Sequence, residues 1–316
     1  MKIRPLIPVC TLLLFFSSRA VLPAQDARVE NARAHLSAGP QPGQTTILSS
    51  GAGDDFGVGQ EETPGDDAFG VQQILKRQER VRPFHLYTDV SGSVTDNVAL
   101  NRDNPRGDAL FVATFGFDST WVLNQNFSVT GYAREALFRY DQERELDFDS
   151  FDIGASLSAR FAQLPGIEFF LRYNFNQLYG EQSDETFFKN HTIAIGGQKV
   201  WAINRALSVY TGASALWGFA DPEEAGRDEY SLFAGSRLQI SRSFSTEAIY
   251  RAGWWPYREG GRRDWNQTAA LQLRWRCTSW AELYAAGYYS WNRSNFEVFD
   301  YEVGNLGGGL TLQVQF

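Results

Sequence analysis

Residues 167–176 read IEFFLRYNFN. Ile167, Phe169, Leu171, Tyr173 and Phe175 alternate with Glu168, Phe170, Arg172, Asn174 and Asn176. The first set is wholly apolar. The second is mainly polar and carries both signs of charge. A helix would scatter these residues around its surface, whereas a strand sorts them onto two faces. The stretch therefore reads as a strand with one side toward an apolar medium and the other toward a polar one. Residues 265–276 repeat the pattern, with Ala269, Leu271, Leu273 and Trp275 against Thr268, Gln272, Arg274 and Arg276. So do residues 151–161, with Ile153, Ala155, Leu157 and Ala159 against Asp152, Ser156, Ser158 and Arg160.

Such runs recur from Pro83 to Phe316, at about 84–95, 108–118, 127–140, 150–161, 167–179, 187–201, 206–218, 229–240, 244–255, 264–276, 280–292 and 301–316. Twelve is the count. Runs 127–140 and 187–201 alternate less cleanly, so ten or fourteen strands also fit. Connections after even-numbered runs are short, as at Leu164-Pro165-Gly166 and Ser241-Arg242-Ser243. Those after odd-numbered runs are longer and more charged, as at 141–149 and 221–228. One short end and one long end is the layout of a membrane barrel with periplasmic turns and extracellular loops. Tryptophans test the idea. Trp121, Trp201, Trp275 and Trp280 fall near short turns, and Trp217, Trp254, Trp255, Trp265 and Trp291 near long loops. Strand ends are where an interfacial aromatic girdle belongs, whereas a soluble sandwich would favour strand middles.

The N-terminus has a different character. Lys2 and Arg4 precede an apolar run from Leu6 to Phe16, with small residues at Ala20 and Ala24 for cleavage. This is the layout of a secretory signal peptide, assigned to residues 1–24. The run is too short to span a bilayer. Residues 25–81 read as a periplasmic linker, because Gly, Pro and polar residues bury too little surface to offset chain entropy. Within it, 71–80 (VQQILKRQER) places Val71, Ile74 and Leu75 on one helical face and reads as a possible short helix. The barrel takes residues 82–316.

Composition fits this division. The chain has 316 residues, net charge −8, 43% hydrophobic and 15% aromatic residues. Its mean hydropathy is −0.33, which suggests a soluble protein until a lipid-facing band, a polar lumen and acidic loops are averaged together. The acidic balance argues against nucleic acid as a partner. Two cysteines cannot build a disulfide scaffold or a thiolate metal site, and no cofactor or metal is expected.

The last run sets Leu306, Gly308, Leu310, Leu312, Val314 and Phe316 against Gly307, Gly309, Thr311, Gln313 and Gln315. An alternating apolar strand that ends in phenylalanine resembles the assembly signal of bacterial outer-membrane β-barrels. The resemblance covers 83–316 as an architecture, plus the export signal, and points to no named porin subfamily. It implies an all-β, antiparallel up-and-down barrel in the outer membrane. It also implies that the barrel-assembly machinery reads Phe316, with outer-membrane lipid and lipopolysaccharide as surroundings.

The polar faces assign Asp89, Asp152, Arg160, Glu168, Arg172, Arg237, Glu247, Arg251, Arg274, Arg276 and Glu282 to the lumen. An arginine at the lipid midplane would cost about 2–4 kcal/mol, so sorting onto the inner face is expected. Two functions follow. Either these charges line a small passive channel for hydrophilic or anionic solutes, or they pair across a filled lumen in a structural or surface-interaction barrel. An enzyme has less support. Of His35, His85 and His191, none stands in a hydrolase motif, and His191 and Thr192 point to opposite faces of one strand.

Overall fold

A computed structural model describes residues 27–33, 82–180 and 185–316. The expected signal peptide and the expected helix at 71–80 lie outside them. Twelve strands form: β1 Phe84–Thr95, β2 Asp108–Val122, β3 Phe127–Tyr140, β4 Phe148–Arg160, β5 Ile167–Gly180, β6 Thr186–Ala202, β7 Leu207–Asp221, β8 Asp228–Gln239, β9 Phe244–Pro256, β10 Arg263–Arg276, β11 Ala281–Ser294 and β12 Tyr301–Gln315. Each pairs antiparallel with its chain neighbours, and β1 closes on β12. The barrel is thus up-and-down and has no free edge. Each expected run meets one strand. Several strands extend past the alternating stretch, as β2 does to Val122 and β7 to Asp221. Ladder bonding continues there after the apolar–polar alternation has ended.

Register keeps the apolar sets together. Leu157 pairs with Leu171, Leu171 with Ile195, and Ile195 with Ala215, forming one row on the outer surface. Leu171 and Ile195 are exposed, so the outer surface of the barrel carries a continuous apolar row. Inward neighbours such as Asp152 and Glu168 are buried.

Four short connections share one device. Asn124 accepts hydrogen bonds from the backbone N–H groups of Asn126 and Phe127, and Asn204 from those of Ala206 and Leu207. Ser241 accepts from Ser243 and Phe244, and Thr278 from Trp280. A short side-chain oxygen thereby satisfies donors that the tight turn leaves unpaired. The fifth turn, between β4 and β5, uses Gly166 at φ +74° instead, a backbone conformation that glycine adopts without steric cost.

The seam joins the two ends of the barrel chain. Phe84 N–H donates to Phe316 O at 3.2 Å, and Phe316 N–H donates to Phe84 O at 3.0 Å. Their rings stack with centroids 5.7 Å apart. Removing Phe316 is expected to cost about 2 kcal/mol, from two backbone bonds and one aromatic pair. The readout is the fraction of unboiled protein migrating as folded barrel on a gel. An unchanged fraction and unchanged denaturant midpoint would count against the seam contact.

At the long-connection end the barrel interior is packed. Phe138 and Phe148 stack at 4.3 Å, within a buried apolar cluster that includes Val98, Val112, Leu146, Leu178 and Phe188. Residues 27–33 form a seven-residue helix, α1, seated against it. Sequence places these residues in a linker on the short-turn side. They lie instead among the long connections. Asn31 donates to Val98 O, between β1 and β2, and Arg33 donates to Ala225 O, between β7 and β8.

Candidate pore and its mouth

The structure places Asp89, Arg160, Glu168, Arg172, Arg237, Glu247, Arg251, Arg274, Arg276 and Glu282 on the inward face, together with Asp152. They form separate groups. On β3–β5, Asp152 lies 3.6 Å from Arg134 Nε and accepts from Asn174 Nδ2 at 3.2 Å. Arg172 is on the next strand, beside Ser156. Arg134 was missed in the sequence because β3 alternates poorly. On β8–β11, Arg237 pairs in register with Glu247, Arg274 with Tyr284, and Arg276 with Glu282. β4 and β10 stand six places apart in the ring of twelve, so the two arginine-bearing walls face each other. Near the short-turn end, Arg160 sits 3.5 Å from Glu168. On β1 and β12, Asp89 accepts hydrogen bonds from Tyr284 OH at 2.9 Å and from Thr311 Oγ1 at 2.7 Å.

Away from the packed cluster, six inward rings lie against glycines of the wall. Tyr87 lies over Gly116, where a Cβ would come 2.1 Å from its ring. Phe233 covers Gly212 and Phe170 covers Gly196 in the same way. A glycine on the neighbouring strand lets each ring lie flat along the wall. Tyr132 over Gly154, Tyr210 over Gly235 and Tyr284 over Gly309 repeat the arrangement. The lumen thus keeps width that upright rings would fill.

The mouth at the long-connection end is built differently. Trp255, Arg227, Tyr257, Arg262 and Phe299 interleave into a stack. Arg227 lies 3.7 Å over the Trp255 ring, and Arg262 lies 4.0 Å over Tyr257 and 3.6 Å over Phe299. Such cation–π contacts gain strength when desolvated. Arg227 is only 3% exposed and donates to Glu229 at 2.8 Å and to Tyr257 OH at 3.0 Å. Its Nη1 meets Glu30 of α1 at 2.5 Å. Arg262 forms an ion pair with Asp264 at 2.6 Å. Burial raises the Glu30 carboxyl pKa, but the charges of Arg227 and Arg33 outweigh it and hold the group down at about 2. The interaction is therefore fully present above the ordinary carboxylate range and is lost only as pH falls toward about 2. No period-2 signal reveals Arg227 or Arg262, because both lie in connections.

Of the aromatic girdle, Trp121, Trp201, Trp254, Trp265, Trp275 and Trp280 are exposed on the outside. Trp217 and Trp291 also face outward, paired with Ile193 and Gln267. Trp255 departs from the girdle position: it points inward and is buried under Arg227. Phe316 holds the seam. His191 faces outward, with Nδ1 2.8 Å from Tyr173 OH, while Thr192 faces inward. His85 faces the lumen between Asp118 at 2.8 Å and Gln313 at 3.2 Å. His35 lies outside the described residues.

No protein-family profile matches the chain, and no curated protein matches its sequence. Solved structures do match its shape. The COG4313 outer membrane channel from Pseudomonas putida F1 superposes with a TM-score of 0.54 at 10% identity, over 77% of this chain and 100% of that one. The KdgM porin aligns at 0.41 and 9% identity over 72% and 98% of the two chains. The DcaP channel of Acinetobacter baumannii aligns at 0.40 and 9% over 73% and 97%. At such identities the likeness speaks for the fold. Its twelve antiparallel strands, closed into one ring, are thus a β-barrel of the same fold as the Pseudomonas putida channel.

Proposed function

We propose that this barrel sits in the bacterial outer membrane, short turns in the periplasm, and acts as a small passive channel for hydrophilic or anionic solutes. One observation carries the reading. Two arginine-bearing walls face one lumen, and the aromatics between them lie flat on glycines. Arginine exceeds its acidic neighbours on each wall: Arg134 and Arg172 flank Asp152, while Arg237, Arg274 and Arg276 stand with Glu247 and Glu282. Fixed positive charge in a narrow, low-dielectric passage favours anions. Lipid and lipopolysaccharide surround the apolar band in this reading, and the barrel-assembly machinery reads the strand ending in Phe316.

The purified mature protein in a planar bilayer is expected to give discrete conductance steps with anion preference. Replacing Arg237, Arg274 and Arg276 together by glutamine should lower the anion-to-cation permeability ratio roughly twofold or more. A folded barrel that conducts in neither its native form nor its Glu30→Gln form ends the channel reading. It would leave a structural or surface-interaction barrel, which the packed cluster around Phe138 and Phe148 favours. An enzymatic reading has less behind it. His191 faces outward beside Tyr173, and the ring nitrogens of His85 meet Asp118 and Gln313 rather than a hydroxyl or thiol.

A further inference from the structure

Among the described residues, helix α1 meets the wall through side-chain contacts and not through a strand ladder. Seven residues make a helix with almost no stability of its own. Its buried side chains, Ala27, Val29 and Ala32, are small. Polar anchors therefore matter more than packing. Asn31 reaches Val98 O at 3.1 Å and Tyr140 OH at 3.3 Å, and Arg33 reaches Ala225 O at 3.3 Å. The shortest contact joins the Glu30 carboxylate to Arg227.

The receiving side of that contact belongs to the barrel and is held without help from α1. Arg227 is clamped flat over Trp255, and Glu229 and Tyr257 OH fix its orientation. One edge of the guanidinium is thereby aimed into the mouth at a fixed height. A planar cation held this way suits a carboxylate, which it can meet by charge-assisted hydrogen bonds. Glu30 is the carboxylate in place.

We propose that α1 is a displaceable plug whose Glu30 occupies a carboxylate-binding site at Arg227, so that carboxylate-bearing solutes compete with it for the mouth. The proposal rests on the channel reading for its purpose, though not for the binding site itself. Glu30 acts as a built-in stand-in for the solute. An organic acid approaching from the long-connection side meets a site already shaped for its charged group. Chloride has the charge but not the directional oxygen acceptor with which Glu30 Oε1 meets Arg227 Nη1.

The test uses the full mature chain with Cys277→Ser and a reporter cysteine at Ala32→Cys, and in parallel at Val29→Cys. Each carries the barrel's heat-shifted gel mobility as a folding control. Both reporters are buried when α1 is seated, so a membrane-impermeant maleimide should label them slowly. Glutarate should speed labelling in a concentration-dependent way, and sodium chloride at matched ionic strength should not. Glu30→Gln should raise the basal rate about tenfold or more, the worth of a charge-assisted hydrogen bond, and abolish the glutarate response. Rapid labelling in the unmodified Glu30 background overturns the plug. Equal effects of glutarate and chloride overturn the carboxylate site. Conductance is read separately on the same proteins. If glutarate speeds labelling yet neither the native nor the Glu30→Gln protein ever conducts, the site is upheld and the channel reading falls instead.

Discussion

Alanine in place of Asp152 is expected to cost about 3–5 kcal/mol of barrel stability. The side chain has no exposed surface and sits 3.6 Å from Arg134 Nε. It also accepts hydrogen bonds from Ser150 Oγ and Asn174 Nδ2, each at 3.2 Å. Alanine removes the acceptor and takes away the carboxylate that stands beside the Arg134 guanidinium. Asparagine keeps the shape and part of the hydrogen bonding, so it should fall between alanine and the native residue. The denaturant midpoint of the folded barrel in lipid vesicles measures both. A loss below about 1 kcal/mol for alanine is the figure for a solvated pair. It would mean that lumen water screens this arginine.

Arginine at position 271 should cost about 2–4 kcal/mol, whereas lysine at the adjacent position 272 should stay within about 1 kcal/mol. Leu271 is outward, 53% exposed in the isolated chain, and nine residues into a fourteen-residue strand. Gln272 is its inward neighbour, beside Glu247. The two substitutions differ by one position and by a whole medium. The gap should shrink in detergent micelles, where a charged side chain reaches water more easily. Equal costs in vesicles would mean that β10 does not cross a bilayer in this register.

The barrel wall was legible because an apolar outer surface and a polar inner one impose a two-residue period on each strand. The run 167–176 shows it without help from any neighbour. Glycine and aromatic positions on the inward face carried a second signal, visible only once register sets Tyr87 beside Gly116 and Phe170 beside Gly196. The partner glycine lies on another strand, so the pairing has no trace within either strand alone.

The mouth was not legible, for a different reason. Arg227 sits in a connection, where backbone direction changes and no period survives. Its partners Glu30 and Trp255 lie far away along the chain, and the stack of Arg227 and Arg262 between aromatics depends on three separate connections. Helix α1 is too short to assert itself by propensity, and its context is rich in linker residues. A hint was available: ARVENAR, residues 27–33, is free of glycine and proline inside a segment otherwise full of them. The short turns were also readable in hindsight. An apolar residue followed by Asn, Ser or Thr recurs at 123–124, 203–204, 240–241 and 277–278.

The seam between β1 and β12 makes completeness a condition of closure. β1 is bonded along its length to residues from Asn305 to Gln315, the final stretch of the chain. A product cut short upstream of Asn305 leaves β1 with a row of unanswered donors and acceptors, an adhesive edge that invites foreign strands. Closure therefore waits on β12: until that strand pairs with β1, the first strand has no cover for its own edge.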